Sequence, residues 1–142
     1  MGRFVNPDNT TFKAALNTKI YVDKTELIEF TNSLIGTTEN FICNSRPRRF
    51  GKSYTANMLS AYYSKGCDSQ ELFSSLAVAK NSAYREYLNK FDVIHFDLQW
   101  FFSQEHIDET VDLITKTIVD ELKTIYEGVL SADIRTIPDA LS

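Results

Sequence analysis

Residues Asn44-Ser45-Arg46-Pro47-Arg48-Arg49-Phe50-Gly51-Lys52-Ser53 stand between an apolar triplet, Phe41-Ile42-Cys43, and a segment of helical periodicity. The triplet is too short for a helix and is cut off by the polar residues after it, so it predicts a buried strand running into a loop. From Gly51 onward Tyr54, Met58, Leu59, Ala61 and Tyr62 recur at helical spacing, which predicts a helix to about Ser64. The stretch ends as a Walker A motif ends. In such a motif the loop amides and helix N-terminus surround phosphates, a lysine reaches the β and γ oxygens, and the next hydroxyl ligates magnesium. Those roles fall to Gly51, Lys52 and Ser53. Arg46 replaces the first glycine of the general pattern and Pro47 follows it, so Gly-Lys-Ser alone reads equally as an ordinary helix start. The context favours phosphate: Arg46, Arg48 and Arg49 cluster here in a chain of formal net charge −4.

Downstream, Val93-Ile94-His95-Phe96-Asp97-Leu98 is rich in β-branched and aromatic residues and predicts a second strand beside the first. Ser103 is placed to cap a long helix in which Ile107, Val111, Ile114, Ile118, Leu122, Ile125 and Val129 form one apolar stripe. Strand, helix, strand, helix predicts a right-handed parallel unit, and hence an α/β, three-layer P-loop NTPase-like fold with parallel strands flanked by helices. Residues 41–142 would form its partial core. Residues 1–40 read as an N-terminal arm and a helix: the first 19 as loop or one irregular turn, then a short β-prone Ile20-Tyr21-Val22. Asp23 is a plausible N-cap for a helix carrying Leu27, Ile28 and Phe30, which should end before Gly36. Ser69 to Leu76 and Ser82 to Asn89 read as short helical connectors.

The chain has 142 residues with 43% hydrophobic and 24% charged, the balance of one compact domain with its own core. Fifteen Lys and Arg against 19 Asp and Glu provide no global basic field, so any anion site must be local. No apolar run approaches the roughly 18 residues needed to span a bilayer, and the expected compartment is the cytoplasm. Cys43 and Cys67 lack metal or disulfide spacing and read as free thiols.

Ile20-Tyr21-Val22-Asp23-Lys24-Thr25 followed by Arg46-Pro47-Arg48-Arg49-Phe50-Gly51-Lys52-Ser53 resembles the AAA-ATPase-like family of bacterial and archaeal proteins. The resemblance implies ATP and Mg2+ as cofactors, with Arg46, Pro47, Arg48, Arg49, Phe50, Gly51, Lys52, Ser53 and Tyr54 around the nucleotide. The preference for adenine over guanine rests on it alone. It also implies a full-length ATPase, often with a nuclease-like C-terminal domain. Family members continue after the long helix to an acidic Walker B strand that this chain lacks. It therefore reads as an N-terminal portion, incomplete at its C-terminus and inactive in hydrolysis alone.

Asp97 at a strand end rivals the missing Walker B carboxylate as a magnesium ligand beside Ser53, but Leu98-Gln99 follows it instead of an acidic neighbour. Asp23 and Lys24 could reach the nucleotide, although capping and solvation explain them as well. His95 and His106 lack metal spacing. Trp100-Phe101-Phe102 fits burial under the next helix better than base stacking. A second reading makes the arginine-rich loop a non-hydrolytic contact to nucleic-acid phosphates or an acidic protein surface.

Overall fold

The computed structural model describes residues 2–45, 47, 51–102, 109–131 and 134–141. Among the described residues seven α-helices follow one another: α1 (Thr10–Leu16), α2 (Leu27–Leu34), α3 (Lys52–Tyr63), α4 (Gln70–Ser74), α5 (Leu98–Phe102), α6 (Thr110–Ile125) and α7 (Ile137–Leu141). Two 3-10 turns, Ala77–Lys80 and Ser82–Arg85, lie between α4 and α5.

Periodicity explains the helices that match expectation. In α3, Met58, Ala61 and Tyr62 share one face and are buried, and in α6 Ile118 and Leu122 hold the centre of the stripe while Val111 stays exposed. The principal core joins Phe12, Ile28, Met58, Tyr62, Phe73 and Val78 from five elements. The Phe12 and Phe73 rings stack at 5.0 Å, and Tyr62 meets Phe73 edge-on at 5.5 Å. Each such side chain contributes about 1.5–3 kcal/mol through burial. A polar seam binds α2 to α3: Asn32 Nδ2 donates to Tyr62 Oη, and Tyr63 Oη donates to Asn32 Oδ1. Burial pushes the Tyr63 phenol up to about 12, so it stays a hydrogen-bonding hydroxyl. A smaller cluster of Val5, Ile118 and Leu122 seats α6.

The three-layer α/β expectation is not met: no strand or sheet forms among the described residues, and the only pairings there are isolated bridges, Val5 with Ile94 antiparallel and Ser64 with Phe91 parallel. The reason lies in the partners. The Val93 to His95 backbone is occupied by the N-terminal arm: Asn6 N donates to Val93 O at 2.7 Å, His95 N to Phe4 O at 2.8 Å, and Val93 N to Asn6 Oδ1 at 2.8 Å. Phe41-Ile42-Cys43 forms no strand and is exposed, Phe41 by 94%. Ile20-Tyr21-Val22 likewise forms no strand. Three apolar residues without a ladder neighbour have nothing to bury against.

Two smaller expectations also change. The first 19 residues contain a true helix, α1, because Phe12 and Ala15 reach the core. Asp23 does not cap α2 directly; it shapes the turn ahead of it, accepting from Thr25 N at 2.9 Å and Thr25 Oγ1 at 2.7 Å. The proposed cap Ser103, along with Ile107, lies outside the described residues. Phe101 is fully buried and α5 lies against α6, as expected of the aromatic triplet, although Phe102 remains exposed.

Candidate functional site

Lys52 is the first residue of α3, and Gly51 before it takes the left-handed conformation, with φ 77° and ψ 28°. That geometry suits glycine, since a Cβ is disfavoured there. The Gly51 carbonyl accepts from Thr55 N at 2.9 Å and from Thr55 Oγ1 at 3.1 Å, which closes the first turn. Gly51, as N-cap, has no side chain with which to cap the helix, and no acidic residue lies in its first turn. The first amides of α3 thus lack intrahelical acceptors at the positive end of its dipole.

A second segment meets that end. Asp23 is tied to a 3-10 turn, its Oδ2 accepting from Ala77 N at 2.7 Å. Thr25, fully buried, accepts from Val78 N at 3.0 Å. With both neighbours anchored, Lys24 is presented toward α3, its Nζ 3.4 Å from where a Cβ on Gly51 would lie. Burial works to raise the Asp23 pKa, but the hydrogen bonds from Thr25 and Ala77 and the Lys80 charge outweigh it and hold the carboxyl below its usual value.

These segments line one cavity of about 740 Å³, with Lys24, Gly51, Lys52 and Ser53 on its polar side and Ile20, Val22 and Tyr54 among its apolar residues. The size falls within the range of small-molecule sites. Ser53 also lines a second cavity on the far side of α3, together with Asp97, His95 and Trp100. Asp97 is therefore near Ser53 but not among the residues lining the first cavity. Its Oδ1 accepts from Gln99 N at 2.8 Å. Burial lowers the His95 pKa below the ordinary imidazole value, partly opposed by Asp97.

Of the sequence-derived site residues, Gly51, Lys52, Ser53 and Tyr54 come together at the first cavity. Pro47 is exposed. Arg46, Arg48, Arg49 and Phe50 lie outside the described residues, as does His106. Among the described residues no group of three or more His, Cys, Asp or Glu is placed to hold a metal ion. No described helix is long and apolar enough to cross a membrane. Sequence reasoning missed the contribution of Ile20 and Val22, whose β-prone pattern pointed to a strand, and left the Lys24 approach open.

Residues 11–139 match the AAA-ATPase-like family, described as predicted AAA-ATPase. The chain belongs to that family. No curated protein and no solved structure matches it.

Proposed function

We propose that this chain is a nucleotide-binding part of an ATPase and that it takes ATP with magnesium at the 740 Å³ cavity. The observation that carries the reading is convergence. The Tyr21 to Thr25 segment and the Gly51 to Ser53 segment, distant in sequence, bring two lysines to one helix start whose first turn holds no acidic residue. Ammonium groups gathered at the positive end of a helix favour an anionic occupant.

In this reading the Lys52 and Ser53 amides donate to phosphate oxygens, Lys52 balances the β and γ charge, and Lys24 contributes a second cation. Ile20, Val22 and Tyr54 offer apolar surface for a base. The donor set also suits magnesium, which commonly takes few protein ligands and completes its shell with phosphate oxygens and water. The Ser53 hydroxyl would hold it, and the ion would neutralise charge developing on the phosphates. Arg46, Arg48 and Arg49 precede this site in sequence and would add bidentate phosphate contacts.

Calorimetric titration with ATP in the presence and absence of magnesium tests the reading. Binding that depends on magnesium and disappears in Lys52→Ala supports it. Unchanged affinity in that variant overturns it. Binding of DNA or RNA that falls steeply with salt, without an ATP response, would instead favour the arginine loop as a phosphate-backbone contact.

A further inference from the structure

Asp23 is exposed, yet its carboxylate accepts from three donors: Thr25 N at 2.9 Å, Thr25 Oγ1 at 2.7 Å and, 54 residues along the chain, Ala77 N at 2.7 Å. Thr25, fully buried, completes the clasp by accepting from Val78 N. Ile28 of α2 and Val78 of the 3-10 turn Ala77–Lys80 are both fully buried in the principal core, so apolar packing already holds these two elements in one body. What the polar clasp adds is direction. Residue 24 lies between two anchored neighbours, and its carbonyl accepts from Leu27 N at 3.0 Å in the turn that leads into α2. Its backbone is thereby fixed on both sides, and its ammonium group lies 3.4 Å from where a Cβ on Gly51 would be.

A lysine side chain is rotamer-rich, and a mobile backbone beneath it would add to the entropy lost when it closes on a phosphate. Fixing that backbone beforehand reduces the loss. Charge works the other way. A carboxylate beside an anion site repels the occupant, so by charge alone Asp23→Asn would strengthen phosphate binding. The direct and the positioning effect of Asp23 therefore carry opposite signs. Coupling through the clasp is also reciprocal: a turn that sets Lys24 is itself tightened, at the Ala77 and Val78 amides, by a ligand that Lys24 holds.

We propose that Asp23 is a positioning residue of the first cavity, setting Lys24 from the Ala77–Lys80 turn, and that occupancy of the cavity tightens that turn in return; this rests on the nucleotide reading above. Affinity for ATP with magnesium is measured by calorimetry for the 142-residue chain, Asp23→Asn, Lys24→Ala and the double variant. Asp23→Asn should weaken binding severalfold, and should cause no loss where Lys24 is already alanine. The same factor in both backgrounds, equal or tighter binding in Asp23→Asn, or wild-type affinity in Lys24→Ala would overturn the proposal. Amide exchange decides the case should Asp23→Asn fail to fold. At saturating ATP, protection of the Ala77 and Val78 amides should rise more than that of the Asn89 amide, which donates to Tyr62 O at the far end of α3, and the excess should vanish in Lys24→Ala. A uniform rise, or an excess that survives in Lys24→Ala, would overturn it as well. Absence of saturable binding, or unchanged affinity in Lys52→Ala, defeats the nucleotide reading and this proposal together, whereas Lys52-dependent binding with an additive cycle defeats this proposal alone.

Discussion

Asp23 accepts a hydrogen bond from the Ala77 amide at 2.7 Å, tying the segment before α2 to a 3-10 turn far along the chain. The contact helps hold Lys24 against Gly51, so the stability of this turn and the geometry of the first cavity are linked through it. Because the Asp23 pKa is lowered on folding, its contribution is present above the unfolded value, about 3.9, and is lost as pH falls through the lower folded value. Asp23→Asn should be less stable than wild type at neutral pH and converge with it as the pH falls below the lowered folded value. Urea melts at several pH values check this, and a constant difference across the range would refute it.

Thr25 extends the same argument into the core. Its hydroxyl donates to Asp23 and accepts from the buried Val78 amide at 3.0 Å. Thr25→Val keeps the shape but orphans that amide, so a loss of about 1–3 kcal/mol is expected in urea unfolding. A change below about 0.5 kcal/mol would show that the amide finds another partner.

Asn89 performs a comparable task at the other end of α3. Its φ is 56°, and its Nδ2 donates to Ala61 O at 3.0 Å and Ser64 O at 2.7 Å while its Oδ1 accepts from Ser69 N at 2.8 Å. Asn89→Ala removes those bonds and puts a residue less tolerant of the left-handed region in place, so it should cost about 2–3 kcal/mol. Asn89→Gly relieves the backbone term alone and should recover only a fraction of the loss. Equal stability of either variant and wild type would remove Asn89 from this role.

How far these contacts could be read from sequence depends on their range. The faces of α2, α3 and α6 were legible because each is set by spacing within one segment, such as Met58 with Ala61 and Tyr62. The strands were not, because pairing is decided by a distant partner. The apolar run at Val93 meets Phe4 and Asn6 of an arm whose composition reads as loop. At the site, Lys52 and Ser53 were placed correctly at a helix start by Gly51 and the periodicity after it. The approach of Lys24 depends on the Asp23 and Thr25 bonds to residues 77 and 78, which no local pattern announces.

Gly51 and Lys24 give a graded test of the nucleotide reading. Gly51→Ala forces a Cβ into a left-handed residue, costing about 1 kcal/mol, although the added carbon would meet Lys24 Nζ at an ordinary 3.4 Å. It should therefore fold and bind ATP more weakly by misaligning the first amides of α3. Lys24→Ala should weaken ATP binding about tenfold with little change in Tm, because Lys24 is exposed. Wild-type ATP affinity in Lys24→Ala would confine the phosphate contacts to α3 and its preceding loop.

Turnover is expected to be absent even where ATP binds. The described residues that line the first cavity supply lysines, hydroxyls and backbone amides but no carboxylate. Phosphoryl transfer to water also needs a group that orients the attacking water and a carboxylate that helps fix the metal, and losing these removes several factors of ten in rate. Asp97, the carboxylate the sequence put forward as a magnesium ligand, lines the other cavity and uses one oxygen to start α5. Phosphate release by the purified 142-residue chain should stay at background while ATP binding is saturable. Steady hydrolysis lost in both Lys52→Ala and Asp97→Asn would show instead that Asp97 reaches the phosphates past Ser53, the one described residue that lines both cavities.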